Sequence, residues 1–183
     1  MNLIGFLEKE HSKAQRDRIV AYIGDDPERF ADLVAAFLNG PYRITQRAAW
    51  PLSHCVKKHP HLVQRHLPSL INHLKKEGLH DAVARNTFRL MQFIKLPTKL
   101  HGRVADLCFK YLADRSRPIA TRVFAMTVLT NLCEFHPELA QELTPLIEDE
   151  LPLGSPAFRA RGSKMLAQLK KIADRADQKR TEV

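Results

Sequence analysis

The sequence predicts an all-α fold, a solenoid of about four helical pairs followed by a C-terminal capping helix. Three observations carry that expectation. Leu, Ala, Lys, Arg and Glu fill long stretches without β-branched runs, and glycine is scarce at 7 of 183 residues, a mix that favours helix throughout. Four prolines, Pro27, Pro60, Pro97 and Pro137, each precede an apolar stripe, at intervals of 33, 37 and 40 residues. Between those stripes TQRAAWPL, VARNTFRL, ATRVFAMTVL and RARGSKML carry Arg47, Arg85, Arg122 and Arg161, which lie 38, 37 and 39 residues apart. Two interleaved series of one period mean a unit of two helices. A unit of roughly 40 residues buries its apolar face only by stacking on its neighbours.

Residues 2–23 (NLIGFLEKEHSKAQRDRIVAYI) predict one or two helices that pair with 27–38, where Phe30, Leu33, Val34, Phe37 and Leu38 share a face. Pro51, inside AAWPLSHC, is expected to kink the next helix. After Pro60 the stripe is Val63, Leu67, Leu70, Ile71 and Leu74. A mid-helix proline costs about 3 kcal/mol, so Pro68 predicts a short turn over HPHLVQRH and a main helix that starts at Pro68. After Pro97 the stripe is Leu100, Val104, Leu107, Cys108 and Tyr111, with no second proline. Residues 136–151, HPELAQELTPLIEDEL, repeat the design of residues 59–74, HPHLVQRHLPSLINHL. The same reasoning predicts a break at Pro145, with Thr144 as N-cap, and a stripe of Leu139, Leu143, Leu146, Ile147 and Leu151. Residues 157–172 form the last helix, with Phe158, Met165, Leu169 and Ile172 inward and lysines outward. Asn39-Gly40-Pro41, Gly78, Arg117-Pro118 and Gly154-Ser155-Pro156 punctuate the units. Residues 1–175 are read as one repeat domain and 176–183 as a frayed tail.

The period, the recurrent arginine before an apolar stripe and the HPxL…PLI helices resemble a HEAT or armadillo-type α-solenoid over roughly residues 12–172. The resemblance implies a right-handed α-α superhelix and is silent on reaction type. One family of DNA glycosylases also uses HEAT-like repeats and shares a basic middle. Its catalytic aspartate and aromatic residues find no counterpart here, so a DNA-repair enzyme on this scaffold ranks third among the readings.

Charge is segregated along the chain. Residues 41–117 hold fifteen Lys/Arg and four Asp/Glu, net +11, whereas residues 118–154 hold one and six, net −5. Lys57, Lys58 and Arg65 fall at one connecting turn, and Lys95 and Lys99 at the next. Lys75 and Lys76 end one second helix, while Arg103 and Lys110 lie on the following one. Such a surface attracts an acidic protein segment or a phosphate backbone. Lys57, Lys58, Arg65, Lys75, Lys76, Lys99, Arg103 and Lys110 are therefore the candidate macromolecule-binding residues. The competing reading is an ordinary solvated surface. The arginine ladder is read as structural, with buried stems and guanidinium heads on backbone carbonyls or carboxylates. Trp50, Phe88 and Phe109 fit the core pattern rather than a base-stacking platform.

Catalytic signatures are missing. No P-loop, G-x-G-x-x-G, G-x-S-x-G or H-E-x-x-H occurs. Six of the nine histidines, His54, His59, His61, His66, His73 and His80, crowd into 27 residues, but Pro68 separates His66 from His73 and no ligand set converges. No metal and no cofactor are expected. Cys55, Cys108 and Cys133 are widely spaced and read as reduced thiols on apolar faces. The opening MNLIGFLEKEHSKAQR has too short an apolar run for a signal peptide, and no stretch approaches the roughly 18 apolar residues of a membrane span. The expectation is a cytoplasmic, non-catalytic scaffold or adaptor that binds a protein partner, with nucleic-acid binding as the second reading. The oligomeric state is open.

Overall fold

Side-chain caps set where the first helices begin. Asn2 accepts from the Gly5 N–H, Ser12 from Gln15, and Asp26 from Glu28 and Arg29. Each satisfies donors that a helix N-terminus leaves without an intrahelical partner. In this computed structural model, which describes residues 2–76 and 78–181, the caps open α1 (Leu3–Lys9), α2 (Lys13–Ile23) and α3 (Pro27–Asn39). There follow α4 (Tyr42–Lys58), a 3₁₀ segment over Pro60–His66, α5 (Leu67–His73) and α6 (Asp81–Met91). A short 3₁₀ turn over Thr98–Leu100 leads into α7 (His101–Ala113), α8 (Ile119–Cys133), α9 (Leu139–Glu150) and α10 (Pro156–Thr181). No strand occurs among the described residues. Gly24 ends α2 with φ +54°, a conformation in which a Cβ is strained.

The helices fall into two compact units, residues 1–96 and residues 97–183. In the first, α4 packs against α2, α3 and α6. It buries Ile44, Ala48, Ala49, Leu52, Cys55 and Val56. In the second, α8 plays the same part against α7, α9 and α10. There α10 approaches α9 closely: a Cβ on Gly162 would stand 2.8 Å from Leu151 Cδ2 and 3.2 Å from Ile147 Cγ2.

The apolar stripes supply most of the core, with Leu38, Leu139, Leu146 and Leu151 only half-buried. Val63, Leu67, Leu70, Ile71 and Leu74 are all buried, as are Leu100, Val104, Leu107, Cys108 and Tyr111. Helix α4 continues through Pro51 from Tyr42 to Lys58. The two proline-marked segments part ways. Pro68 opens α5 after the 3₁₀ segment, as expected. Pro145 instead lies inside α9, and Thr144 is an interior residue rather than a cap. The expected break at Pro145 is thus corrected. HPELAQEL is built from strong helix formers, with Glu138 and Glu142 at the positive end of the helix, whereas HPHLVQRH sets Val63, His61 and Arg65 there. The last helix also runs past residue 172 to Thr181. Glu182 and Val183 lie outside the described residues.

The arginine ladder is largely structural. Arg47 Nη1 donates to the carbonyls of Leu7 at 3.0 Å and Glu8 at 2.6 Å, closing the C-terminus of α1. Arg122 is 4% exposed and donates from Nε to the Leu112 carbonyl at 2.8 Å and from Nη2 to Glu150 at 2.6 Å. Arg161 reaches Thr127 Oγ1 at 3.0 Å. Arg85 alone of the four is exposed. The three cysteines are buried, and burial pushes the thiols of Cys55 and Cys133 up to about 12 and that of Cys108 upward as well.

Candidate anion-binding interface

The eight basic residues singled out above are divided between the two units, five in the first and three in the second. Lys57 and Lys58 are exposed in the last turn of α4, and Lys57 Nζ lies 5.6 Å from the centre of the Phe93 ring. Arg65 is engaged within its own unit: its Nη2 donates to the Pro27 carbonyl at 2.8 Å and to Glu28 Oε1 at 3.3 Å. Lys75 and Lys76 follow α5 in a turn and are exposed. In the second unit, Lys99 sits in the 3₁₀ turn. Arg103 and Lys110 are exposed on α7, two helical turns apart, with the exposed Asp106 between them on the same side.

A denser cationic centre lies beside Lys57. Trp50 and His54, one turn apart on α4, present their rings together. Trp50 Nε1 donates to His54 Nε2 at 3.0 Å. The indole has only a donor, so this bond makes Nε2 the imidazole acceptor and leaves the ring proton on Nδ1. Two guanidinium groups address the same nitrogen, Arg16 Nη1 from α2 and Arg89 Nη2 from α6, each at 3.4 Å. Arg16 also stacks over Trp50, 4.5 Å from the ring centre, and its other nitrogens bind Asp17 at 2.9 and 2.6 Å. Its side chain is only 11% exposed.

Electrostatics make this an unusual neighbourhood. Burial, then Arg16 and Arg89, push His54 down from 6.5 to about 4, with Lys57 acting in the same sense and Asp17 against it. Burial, then Arg16 and Arg85, lower the pKa of Arg89. The two guanidinium nitrogens lie within about 7 Å of each other, where like charges repel by roughly 2 kcal/mol at an effective dielectric near 20. Asp17 is the one carboxylate among the main charges acting on His54. The histidine is neutral, so it relieves none of that repulsion by charge.

In the sequence Trp50 fits the core pattern, His54 stands out only as one of six crowded histidines, and nothing singles out Arg16 or Arg89. The structure half-buries Trp50 and gives it three polar neighbours, the third being His11 with ring centres 5.6 Å apart. The period held the missing signal. Arg16 to His54 is 38 residues and His54 to Arg89 is 35, so side chains about one repeat apart meet on adjacent helices. Phe88 is buried as expected, whereas Phe109 is half-buried. The recess beside Trp50, lined by His11, Gln15, Arg16 and Arg47, measures about 10 Å³, below the size of a substrate. Among the described residues no group of three or more His, Cys, Asp or Glu converges to hold a metal ion.

Other clusters are self-contained. His101 Nδ1 and His136 Nε2 lie 2.9 Å apart, and Asp25 bridges His59 at 3.2 Å and His61 at 2.8 Å. A groove of about 750 Å³ runs between α9 and α10, floored by Ala140, Leu166, Leu169 and Ala173. No described helix is long and apolar enough to cross a membrane.

The family model of the HEAT repeat domain matches residues 5–169. The chain belongs to the HEAT repeat family. No curated protein matches it, and neither does any solved structure. HEAT repeats serve as protein-interaction scaffolds and are typically non-catalytic. In this HEAT-repeat chain the cationic centre spans α2, α4 and α6, with α4 packed against the other two in the first unit.

Proposed function

We propose that this HEAT-repeat chain is a non-catalytic scaffold that binds an acidic protein segment through the basic surface of its first unit, centred on α2, α4 and α6. One observation carries the reading: Arg16 and Arg89 converge on a neutral His54, with Lys57 and Arg85 nearby, and Asp17 supplies the opposing charge. Cations held together without matching carboxylates strain the free protein and favour an anionic partner. Lys58, Lys75 and Lys76 are exposed in the same unit and extend the field that steers such a partner. In the second unit, Asp106 dilutes the pair formed by Arg103 and Lys110, and Lys99 stands apart in its turn. These three are assigned the weaker role of long-range attraction.

Fluorescence anisotropy of a labelled Glu/Asp-rich peptide tests the reading, with a labelled DNA duplex run beside it at low and near-physiological salt. The expected result is micromolar peptide binding that weakens with salt and falls at least tenfold in Arg89→Glu. Duplex binding that is tighter than peptide binding, with a steep negative salt slope, would transfer the surface to nucleic acid. Absence of peptide binding at low salt would sink the proposal.

A further inference from the structure

The acceptor geometry at His54 narrows the chemistry of the anion. One lone pair on Nε2 faces three donors, and only Trp50 comes to a full hydrogen-bonding distance, 3.0 Å against 3.4 Å for each arginine. The two guanidinium groups are therefore aligned on a common point but poorly satisfied at it. An anion with several oxygens would give each arginine its own short, charge-assisted bond. A carboxylate has two oxygens and one charge. A phosphoryl group has three free oxygens and close to two charges at neutral pH, a better match to a centre in which four cations outnumber Asp17. Arg16 is held in place from two sides, by the Trp50 ring and by Asp17, so one prong of the receptor is fixed before the ligand arrives. Arg16 reaches His54 from α2 and Arg89 from α6, Lys57 and Arg85 are exposed on α4 and α6, and the 10 Å³ recess lined by Arg16 leaves no room for a ligand. The approach is thus from the surface over α4 and α6.

We infer that Arg16, His54 and Arg89 form a receptor for a phosphoryl dianion carried on a side chain of the bound protein segment. The inference rests on the acidic-partner reading and adds the modification that would switch binding on. Two guanidinium forks, rather than lysine point charges, suit the discrimination of phosphate oxygens. His54 Nε2 can donate to a phosphoryl oxygen only once it takes a proton and gives up the Trp50 N–H, and an arriving dianion would make that protonation easier. The charged groups facing His54 are Arg16 and Asp17 from α2, Lys57 on its own helix and Arg89 from α6. These sum to +2, and a bound phosphoryl dianion would bring that sum at the imidazole close to zero.

The sole tryptophan of the chain, Trp50, lies inside the receptor and reports on it directly. Its emission is followed while the protein is titrated with an acidic peptide containing phosphoserine, the same peptide unphosphorylated, and inorganic phosphate. The phosphopeptide is expected to bind at least tenfold more tightly than either of the others. Arg89→Lys, which keeps the charge and removes the fork, should bring the ratio of phosphopeptide to unphosphorylated-peptide affinity down to about one. Equal affinity for both peptides overturns the inference and leaves the acidic-partner reading standing. If neither peptide binds, both fail. Inorganic phosphate as tight as the phosphopeptide overturns the partner-borne source in favour of a free small anion. As an independent readout, the imidazole resonances of His54 should titrate well above pH 4 in the phosphopeptide complex. Unchanged titration in a saturated complex would place the phosphate elsewhere and overturn the assignment.

Discussion

Two arginine centres, one in each unit, solve the same electrostatic problem in opposite ways. In the second unit, Arg122 is buried and meets Glu150, whose other oxygen takes Arg115 Nε at 2.6 Å. Burial works against ionisation of Glu150, but the hydrogen bonds from Arg122 and Arg115 outweigh it and hold the carboxyl below its ordinary range. In the first unit, Arg16 and Arg89 converge on His54, which has a lone pair but no charge to offer. A centre closed by a buried carboxylate holds helices together and has nothing left for a ligand. One closed by a neutral ring keeps its positive field facing out. The difference separates charges that build the fold from charges available to a partner.

The sharpest way to break that contrast is to open the closed centre. Glu150→Ala strands Arg122 below the surface, and the expected loss is about 3 kcal/mol, read as a lower midpoint in urea unfolding. A change within experimental error would mean that Arg122 relaxes to solvent and that the two centres do not differ in kind.

The pH dependence of stability distinguishes them next. The folded-state value of His54 is about 4 against an ordinary 6.5, so the unfolded chain binds its proton first, and stability falls as pH drops from 6.5 toward 4. Glu150 behaves otherwise: its contribution is complete above its ordinary value of 4.5 and is lost below that, as pH falls through the lowered folded value. Melting temperatures recorded from pH 7 to pH 3 should show both windows, and His54→Gln should shrink only the upper one, to which His66 and His73, also lowered by burial, contribute the remainder. An upper window of undiminished size in His54→Gln would assign it to those two histidines alone.

The smallest effect on stability is expected where the effect on binding is greatest. Arg89→Gln removes one of two repelling cations and should shift stability by no more than about 0.5 kcal/mol. Peptide affinity should nevertheless drop at least tenfold. Destabilisation of several kcal/mol in this variant would mean that Arg89 is structural like Arg122.

The periodicity made the core legible, because burial on a two-helix unit repeats with the unit. The stripes after Pro60 and Pro97 were readable residue by residue, and so was a structural role for Arg47, with carbonyl or carboxylate left open as its partner. The segments 59–74 and 136–151 show the limit. Proline at the same register was read as a break in both, yet α9 runs through Pro145 with Ala140, Leu143 and Ile147 buried along one face. The penalty of one proline is of the same order as the summed preference of its neighbours, so position alone could not decide. The His54 centre was missed for a different reason. Its members come from three helices, and no local spacing links them. Arg16 to His54, His54 to Arg89, Arg65 to Pro27 and Arg115 to Glu150 are all separated by 35 to 38 residues. Reading the sequence in columns one period wide, rather than along its length, would have set them side by side.

The three buried cysteines turn the protein into its own stopwatch. A thiol held near 12 in a closed core reacts with a soluble disulfide reagent only during the moments when its surroundings come apart. Cys55 keeps time for the first unit, and Cys108 and Cys133 for the second. Cys55 also follows His54 in the chain, so its labelling rate should slow when an anionic segment occupies the first unit.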